Sequence, residues 1–375
     1  MSSVDYDVLS KFLDEDKLSL DYHKVCSSLE RIGEDEALDI IFKYYRENGF
    51  PHYTIREEEK HEQIRKLQNF KHEQILDGDE ITQTMNGLRL AWSYFPQFWE
   101  VPCGNAKTTP MENFHNDDKL KEVIRKTIKW HFNHSDNPHW TENRFRQNIK
   151  IYGGTQTVSN FRPTAAKYIY ETYGGGGVVW DMCAGWGGRL LGALSSNRVK
   201  KYIGTEPSTK TFEGLNKIKE EFSYLGKEVE LHCLGSEVFK PTEQVDLCFT
   251  SPPYFDTEKY ADEPTQSYIK FPTEEKWIYG FLGQTLKNTF DSTKVNGYLL
   301  LNIANTSSGK NIENGTLKIA KQLGYKYIKT LRLNLSTMAR DGEGSGSKYE
   351  PIFVFKKESS STVPNPYGDD DWATP

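Results

Sequence analysis

The sequence predicts an α/β protein: a parallel sheet covered on both faces by helices, preceded by a helical N-terminal region. Three observations carry this. From about residue 146, short β-rich runs alternate with helical stretches, the pattern of a parallel sheet with helices on its faces. Before that point, apolar residues recur at helical spacing. Near the C-terminus two strand-like runs follow one another with no helix between them, so they are expected to pair as a hairpin.

In chain order, DEALDIIFKYYREN carries apolar residues at helical spacing, and REEEKHEQIRKLQNFKHEQI is charged, helix-prone and expected to be exposed. KLKEVIRKTIKWHF (119–132) is a third helix, with Leu120, Val123, Ile124, Ile128 and Trp130 marking one buried side. Gly49-Phe50-Pro51 and Asp136-Asn137-Pro138 punctuate this region. Strands are then expected at VVWDM (178–182), KKYIGTE (200–206), VELHCLG (229–235), VDLCFTS (245–251), GYLLLNIAN (297–305), YKYIKTLRLNL and YEPIFVFKK. Helices are expected at RLLGALSS, TFEGLNKIKEEFSYLG, EEKWIYGFLGQTLKNTF (274–290) and LKIAKQLG. The resulting division is a helical region over 1–145, a sheet domain over 146–357 and a polar, Pro-containing tail over 358–375 expected to be disordered.

Composition bounds the class. The 375 residues suffice for one large domain with an appendage, or two domains. No run approaches the ~18 apolar residues of a membrane span. The start, MSSVDYDVLSKFLDED, is acidic and lacks an apolar signal core, so a cytoplasmic protein is expected. The five cysteines, Cys26, Cys103, Cys183, Cys233 and Cys248, form no CxxC pair. Reduced, buried thiols are therefore expected, with neither a disulfide framework nor a zinc cluster, and no metal. Net charge is −6, but residues 101–170 hold 11 Lys/Arg against 6 Asp/Glu. That surplus reads either as an ordinary solvated surface or as a local face for a polyanion.

Two motifs carry the chemistry. The first, Asp181-Met-Cys-Ala184-Gly185-Trp-Gly187-Gly188, follows a strand and opens a helix. Glycines there let the backbone turn sharply and approach a ligand. In an open α/β sheet ligands bind beyond the carboxyl ends of the strands. Twenty-one residues past Gly185, at the end of the next strand, Glu206 is placed to bond ribose hydroxyls. The pattern is not GxGxxG and has no Walker lysine, which disfavours NAD and ATP. A plain strand–helix turn is the other reading.

These residues resemble the first motif of the class I S-adenosylmethionine-dependent methyltransferases, an acid followed by Gly-x-Gly after the first strand. Asp181, Ala184, Gly185 and Gly187 fall on that motif and Glu206 on the family's ribose-binding acid. The resemblance covers roughly residues 150–357. It implies S-adenosylmethionine as cofactor and a Rossmann-like, seven-stranded sheet whose last strand is antiparallel, in agreement with the expected hairpin.

The second motif is Ser251-Pro252-Pro253-Tyr254, at the end of the fourth strand. A Pro-Pro pair alone is expected about once in a chain this long; its place after an apolar strand is what carries meaning. An exocyclic amino nitrogen is a poor nucleophile because its lone pair is delocalised into the ring. Acceptors on its hydrogens favour a pyramidal nitrogen and stabilise the charge that develops there. The Ser251 hydroxyl and the Pro252 carbonyl can be those acceptors, stiffened by proline. Tyr254 offers a face on which an extruded base can stack. The motif resembles the [Asp/Asn/Ser]-Pro-Pro-[Tyr/Phe/Trp] signature of amino-methyltransferases of adenine N6, cytosine N4, some RNA guanines and some protein glutamines. Its Ser variant resembles mainly the cytosine-N4 enzymes.

Flanking segments add to this resemblance. SNFRPTAAKYIYE (159–171) is similar to the segment that closes the methionine end of the cofactor in DNA amino-methyltransferases. It implies that Phe161 and Pro163 pack on the cofactor and that Arg162 approaches its carboxylate. A plain helix start capped by Thr164 is the alternative. Glu237 sits where the family contacts the adenine ring, although Ser236 intervenes where the family has the acid directly. FDTEKYADEPTQSY (255–268) is expected to fold over an extruded base, and STMARDGEGSGSK (336–348), with Arg340 and Lys348, to reach DNA or to be a plain hairpin loop. Motif order resembles the gamma arrangement of DNA amino-methyltransferases, whereas a Ser tetrapeptide is commoner in the beta arrangement. Sheet elements use most of the ~100 residues after Tyr254, so the helical N-terminal region, with its HFNHSDNPHWTENRFRQNIK stretch, is the candidate for target recognition or else a structural cap. The expected function is a DNA base amino-methyltransferase acting on duplex DNA, cytosine N4 before adenine N6. An RNA amino-methyltransferase and a catalytically silent DNA-binding fold are the alternatives.

Overall fold

The computed structural model describes residues 33–134, 141–305, 311–335 and 349–360. Residues 1–32 with Cys26, the Asp136-Asn137-Pro138 turn, the 336–348 loop with Arg340 and Lys348, and the expected tail from 361 lie outside the described residues. The chain forms two compact units, and they do not part at residue 145 as expected. One comprises residues up to Tyr53 and Gln97–Val158, the other Thr54–Pro96 and everything from Ser159.

The first unit is helical, with helices Glu34–Asn48, Pro110–His115, Asp117–His134 and Glu142–Gly153. Its core is aromatic: Tyr45 stacks on Phe145 at 4.2 Å, and Phe114 meets Tyr45 and Phe50 edge-on. Leu120, Val123, Ile124 and Ile128 are buried as expected, and Trp130, half-buried, carries the Arg144 guanidinium 4.3 Å over its ring. Thr109 and Glu112 form a reciprocal capping box at the start of Pro110–His115, satisfying two orphan amides there.

The second unit is built on one nine-stranded sheet. Its strands are β1 (Leu76–Asp77), β2 (Glu80–Ile81), β3 (Val178–Asp181), β4 (Lys201–Thr205), β5 (Glu228–His232), β6 (Val245–Thr250), β7 (Thr293–Asn302), β8 (Tyr325–Asn334) and β9 (Tyr349–Lys357). They lie in the order β1-β2-β8-β9-β7-β6-β3-β4-β5. All seven strands expected from the sequence form, with ends shifted by a few residues. β9 runs antiparallel to both β7 and β8, which is the expected hairpin. The two strands not anticipated are β1 and β2, each two residues long, which extend the β8 edge.

Segment 54–96 joins this unit for a physical reason. Lys167, on helix Pro163–Tyr173 and 1% exposed, donates its ammonium to the carbonyls of Leu67, Gln68 and Phe70 at 2.8, 2.6 and 3.0 Å. Those carbonyls belong to the last turn and the C-cap of helix Glu57–Asn69, where only that of Leu67 also accepts a backbone amide, from Phe70. That helix is therefore not simply an exposed one: Ile64 and Leu67 are fully buried.

On one face of the sheet Trp180, Cys248, Leu299 and Phe355 pack against Trp277, Phe281, Leu286 and Phe290. The helix expected at 274–290 is present but contains a π-helical stretch, Trp277–Gly283, before it resumes as Gln284–Ser292. Such insertions are often found beside functional sites. The parallel strands point their carboxyl ends one way. Order reverses between β3 and β6, where an open sheet leaves a crevice.

Candidate functional site

A cavity of about 330 Å³ opens at that crevice, within the size range of small-ligand sites. The turn after β3, the ends of β4 and β6, the start of β9 and the 258–268 loop all line it. Both sequence motifs meet here. Gly185 and Glu206 line it together with Ser251, Pro252, Pro253 and Tyr254. Phe161, Arg162 and Glu237 line it as well.

At Gly185 the backbone takes φ 59° and at Gly187 φ 76°, both in the left-handed region. A Cβ on Gly185 would meet nothing closer than 3.7 Å, so that position faces open space. A Cβ on Gly187 would meet Ile218 at 2.5 Å and Phe95 at 2.9 Å. Gly187 is thus a packing glycine, and it lies outside the cavity lining.

Glu206 is held by two backbone amides: Gly185 N–H donates to its Oε2 at 3.0 Å and Ser208 N–H to its Oε1 at 2.9 Å. Burial nevertheless pushes its carboxyl up to about 7, the two amides pulling the other way.

Asp181 corrects the expectation of a cofactor contact. It is 1% exposed, lies behind the cavity wall and accepts from Arg189 Nε, Tyr202 OH and Thr250 Oγ1, each at 2.8 Å. It is an anchor for the turn, tying β3 to β4, β6 and helix Gly188–Ser195. Ala184 and Pro163 are likewise buried and outside the lining. Ala184 N–H donates to Thr205 O, and Pro163 occupies the first turn of its helix, where its missing N–H costs nothing. Thr164 is not the cap of that helix; it is buried and hydrogen-bonded to Thr84 Oγ1 at 2.8 Å.

At the tetrapeptide, Pro252 is buried and its neighbours are half-buried. The Tyr254 hydroxyl points to Glu350 Oε2 at 3.3 Å and Asn302 O at 3.5 Å, long for such bonds. Phe255, next in the chain, has φ 58°, a costly conformation for a bulky residue and one that tends to mark functional turns.

The loop after the tetrapeptide does not stay at that end. Glu263 accepts from Thr209 N–H and Oγ1, Thr265 Oγ1 donates to Pro207 O, and Lys270 pairs with Glu237. These contacts pin residues 263–270 over the Glu206 half of the cavity. The Glu237 carboxylate is therefore already engaged by a cation. Gln266 is 4% exposed, and its Nε2 has no partner although it lines the cavity.

Sequence reasoning missed Asn160, Trp186, Arg189, Glu258, Gln266 and Glu350. Trp186 was visible between the two glycines; it meets Trp92, Phe95 and Tyr260 at 5.7–5.8 Å. Asn160 Nδ2 donates to Trp186 O at 2.8 Å; it lies inside the 159–171 segment, one residue before Phe161. Arg189 opens the helix after the glycine turn, a place where an arginine is a detectable signal. Glu258 and Glu350 carry none, because only the fold brings 258 and 350 to one cavity.

No family model matches the chain, and no curated protein matches it. Among solved structures it is similar to a methyltransferase from Pyrococcus furiosus, at 20% identity over 52% of this chain and 82% of that one, with a TM-score of 0.36. It is similar also to the N-methyltransferase NodS from Bradyrhizobium japonicum WM9, at 9% identity over 52% and 94%, TM-score 0.36. A third is the magnesium protoporphyrin IX methyltransferase from Synechocystis PCC 6803 with bound SAM, at 13% identity over 48% and 70%, TM-score 0.34. The β5-β4-β3-β6-β7-β9-β8 core, with its one antiparallel strand, is the Rossmann-like seven-stranded sheet expected from the sequence, extended to nine strands by β1 and β2. Among the described residues no helix is long and apolar enough to cross a membrane.

Proposed function

We propose that the protein is an S-adenosylmethionine-dependent methyltransferase of an exocyclic amino group on a DNA base, cytosine N4 before adenine N6. One observation carries the reading: Gly185 and Glu206 line the same cavity as Ser251–Tyr254. The residues fit the cofactor. Gly185 leaves room beside the turn, Glu206 is a buried carboxylate able to accept from ribose hydroxyls, and Gln266 Nε2 is a buried donor without a partner. When bound, the cofactor supplies an electrophilic methyl group on a sulfonium centre. Phe161 and Arg162 would hold its methionine end, and Glu237 would hold its adenine end. Ser251 Oγ and the Pro252 carbonyl accept from the amino hydrogens, and Tyr254 presents its ring to the base. Holding nitrogen and methyl in line supplies much of the acceleration. The serine of the tetrapeptide favours cytosine. The helical unit, with the exposed Lys119, Arg125, Lys126 and Lys129 on Asp117–His134, is the candidate for target recognition.

The test uses purified protein, labelled S-adenosylmethionine and unmodified duplex DNA, followed by digestion and identification of the labelled nucleoside by mass spectrometry. Label on N4-methyl-2′-deoxycytidine or N6-methyl-2′-deoxyadenosine, lost in Ser251→Ala and Tyr254→Ala, is the expected result. Cofactor binding without label on DNA rejects the DNA assignment and favours RNA. No cofactor binding at all favours a silent fold.

Glu206 gives an independent check. Hydroxyl donors favour its ionised form, and in the free protein that form is gained as pH rises through about 7. Cofactor affinity should therefore rise as pH increases from 6 to about 7 and level off beyond it. Glu206→Ala should weaken binding about 10- to 100-fold, the worth of roughly 1.5–3 kcal/mol for hydrogen bonds to a charged group. Titration calorimetry across this pH range measures both; an affinity independent of pH and of the substitution rejects Glu206 as the ribose acid.

A further inference from the structure

Two groups at the tetrapeptide end have no part in that reading. Glu258 lines the cavity four residues past Tyr254, and its Oε2 is shut off from solvent with no hydrogen-bond partner. Glu350, near the start of β9, lines the same cavity and takes the long bond from the Tyr254 hydroxyl. Among the described residues neither carboxyl is in an ion pair. The cavity's arginines are otherwise engaged, Arg189 by Asp181 and Arg162 by Gln83. The groups that face Glu258 are Tyr254 and Tyr260 from its own loop and Glu350 from β9.

Two half-buried carboxyls in one cavity without a cation do not both ionise readily. Burial pushes the Glu258 carboxyl up to about 7; Glu350 adds to the rise, while the Tyr254 amide and Tyr260 oppose it. Burial raises Glu350 also, with Asn302 and Tyr254 opposing. A neutral carboxylic acid is a donor and an acceptor side by side.

Resting on the amino-methyltransferase reading, we propose that Glu258 selects the target by pairing as a neutral acid with the ring edge beside the amino group. Its hydroxyl donates to the ring nitrogen, and its carbonyl oxygen shares, with one of the two tetrapeptide acceptors, the amino hydrogen on that side. The edge that fits is an amino group next to an unprotonated ring nitrogen. Cytosine offers this at N4 and N3, adenine at N6 and N1. Guanine does not fit by its Watson–Crick edge, where N1–H and the N2 amino group are both donors and the Glu258 hydroxyl would meet a hydrogen; it offers the pattern only at N2 and N3, on the edge beside the sugar. Thymine has no amino group. The buried, unpartnered Oε2 is the observation that points to a missing ligand here, and its place beside Tyr254 puts that ligand where the base would stack.

The role has an opposite sign to the obvious competitor. A carboxylate acting as proton acceptor works better as pH rises through 7; a neutral acid acting as reader works worse. The experiment measures kcat/KM for methylation of duplex DNA between pH 6 and 9, with cofactor saturating so that Glu206 stays ionised. It compares the wild type with Glu258→Ala and Glu258→Gln, the glutamine keeping a donor and an acceptor at every pH. Expected are a wild-type profile that falls above pH 7, a 10- to 100-fold loss in Glu258→Ala, and rescue with a flat profile in Glu258→Gln. Methylated DNA from the wild type together with equal loss in both variants overturns this role and leaves the parent reading standing. So does a wild-type rate that climbs through pH 7 and dies in Glu258→Gln. A wild type that binds cofactor yet methylates no DNA overturns both.

Discussion

Asp181→Ala is expected to cost roughly 3–5 kcal/mol of folding stability, the loss typical of removing one member of a buried ion pair. The substitution leaves the Arg189 guanidinium, 5% exposed in the cavity wall, with no carboxylate partner. It also strips the Tyr202 and Thr250 hydroxyls of their acceptor. Chemical denaturation of the full chain measures the loss. Asp181→Ala with Arg189→Met should recover much of it, because an apolar pair of similar volume no longer carries an unpaired charge. A stable Asp181→Ala protein that merely fails to bind cofactor would mean that the residue is a ligand after all and not an anchor.

Lys167→Met is expected to cost about 3 kcal/mol or more. The half-buried Gln68 and Phe70 carbonyls lose this donor at once, the Leu67 carbonyl keeps only Phe70 N–H, and each orphaned group costs roughly 1–3 kcal/mol. The damage should be local first. Amide hydrogen exchange should quicken in helix Glu57–Asn69 and at Glu80–Ile81, while β3, β4 and β6 keep their protection. Uniform quickening across the sheet, or none, would show that Lys167 is not what docks that segment.

The sheet was legible wherever a strand was long enough to bury several apolar residues. VVWD and VDLCFT are nearly continuous apolar runs, and each forms a central strand. Leu76–Asp77 and Glu80–Ile81 were not legible, since two residues hold no periodicity; only Arg332 and Leu333, far along the chain, make them strands. The same reason misplaced the domain boundary: residues 57–69 look like an exposed charged helix until Lys167 is seen to take its C-terminal carbonyls. In the site, Gly185, Glu206 and the Ser251–Tyr254 set were legible as candidates through backbone geometry and short spacing, and they line one cavity. Asp181 was found for the wrong role, because the motif fixes where the acid stands along the chain but not whether its carboxylate turns to the ligand or to Arg189. Glu258 and Glu350 were invisible, since only the fold brings positions 258 and 350 to one cavity, where among the described residues neither meets a cation.

The pairing of β2 with β8 has a consequence for how the chain is made. Asp79 meets Lys329 and the Arg332 amide, partners 250 residues further on in the first case. Closing so long a loop adds little cost, since the entropic penalty grows only by about 0.6 kcal/mol per doubling of length. Time is the larger matter. A ribosome adding roughly 5–20 residues per second needs about 12–50 s to deliver the partner strand. For that interval Ile81, fully buried in the finished protein, has no surface to dock on. The earliest-made strands of the sheet are thus among the last to find their place, and a nascent chain shortened before Tyr325–Asn334 keeps an apolar, unclasped segment that a chaperone or protease can recognise.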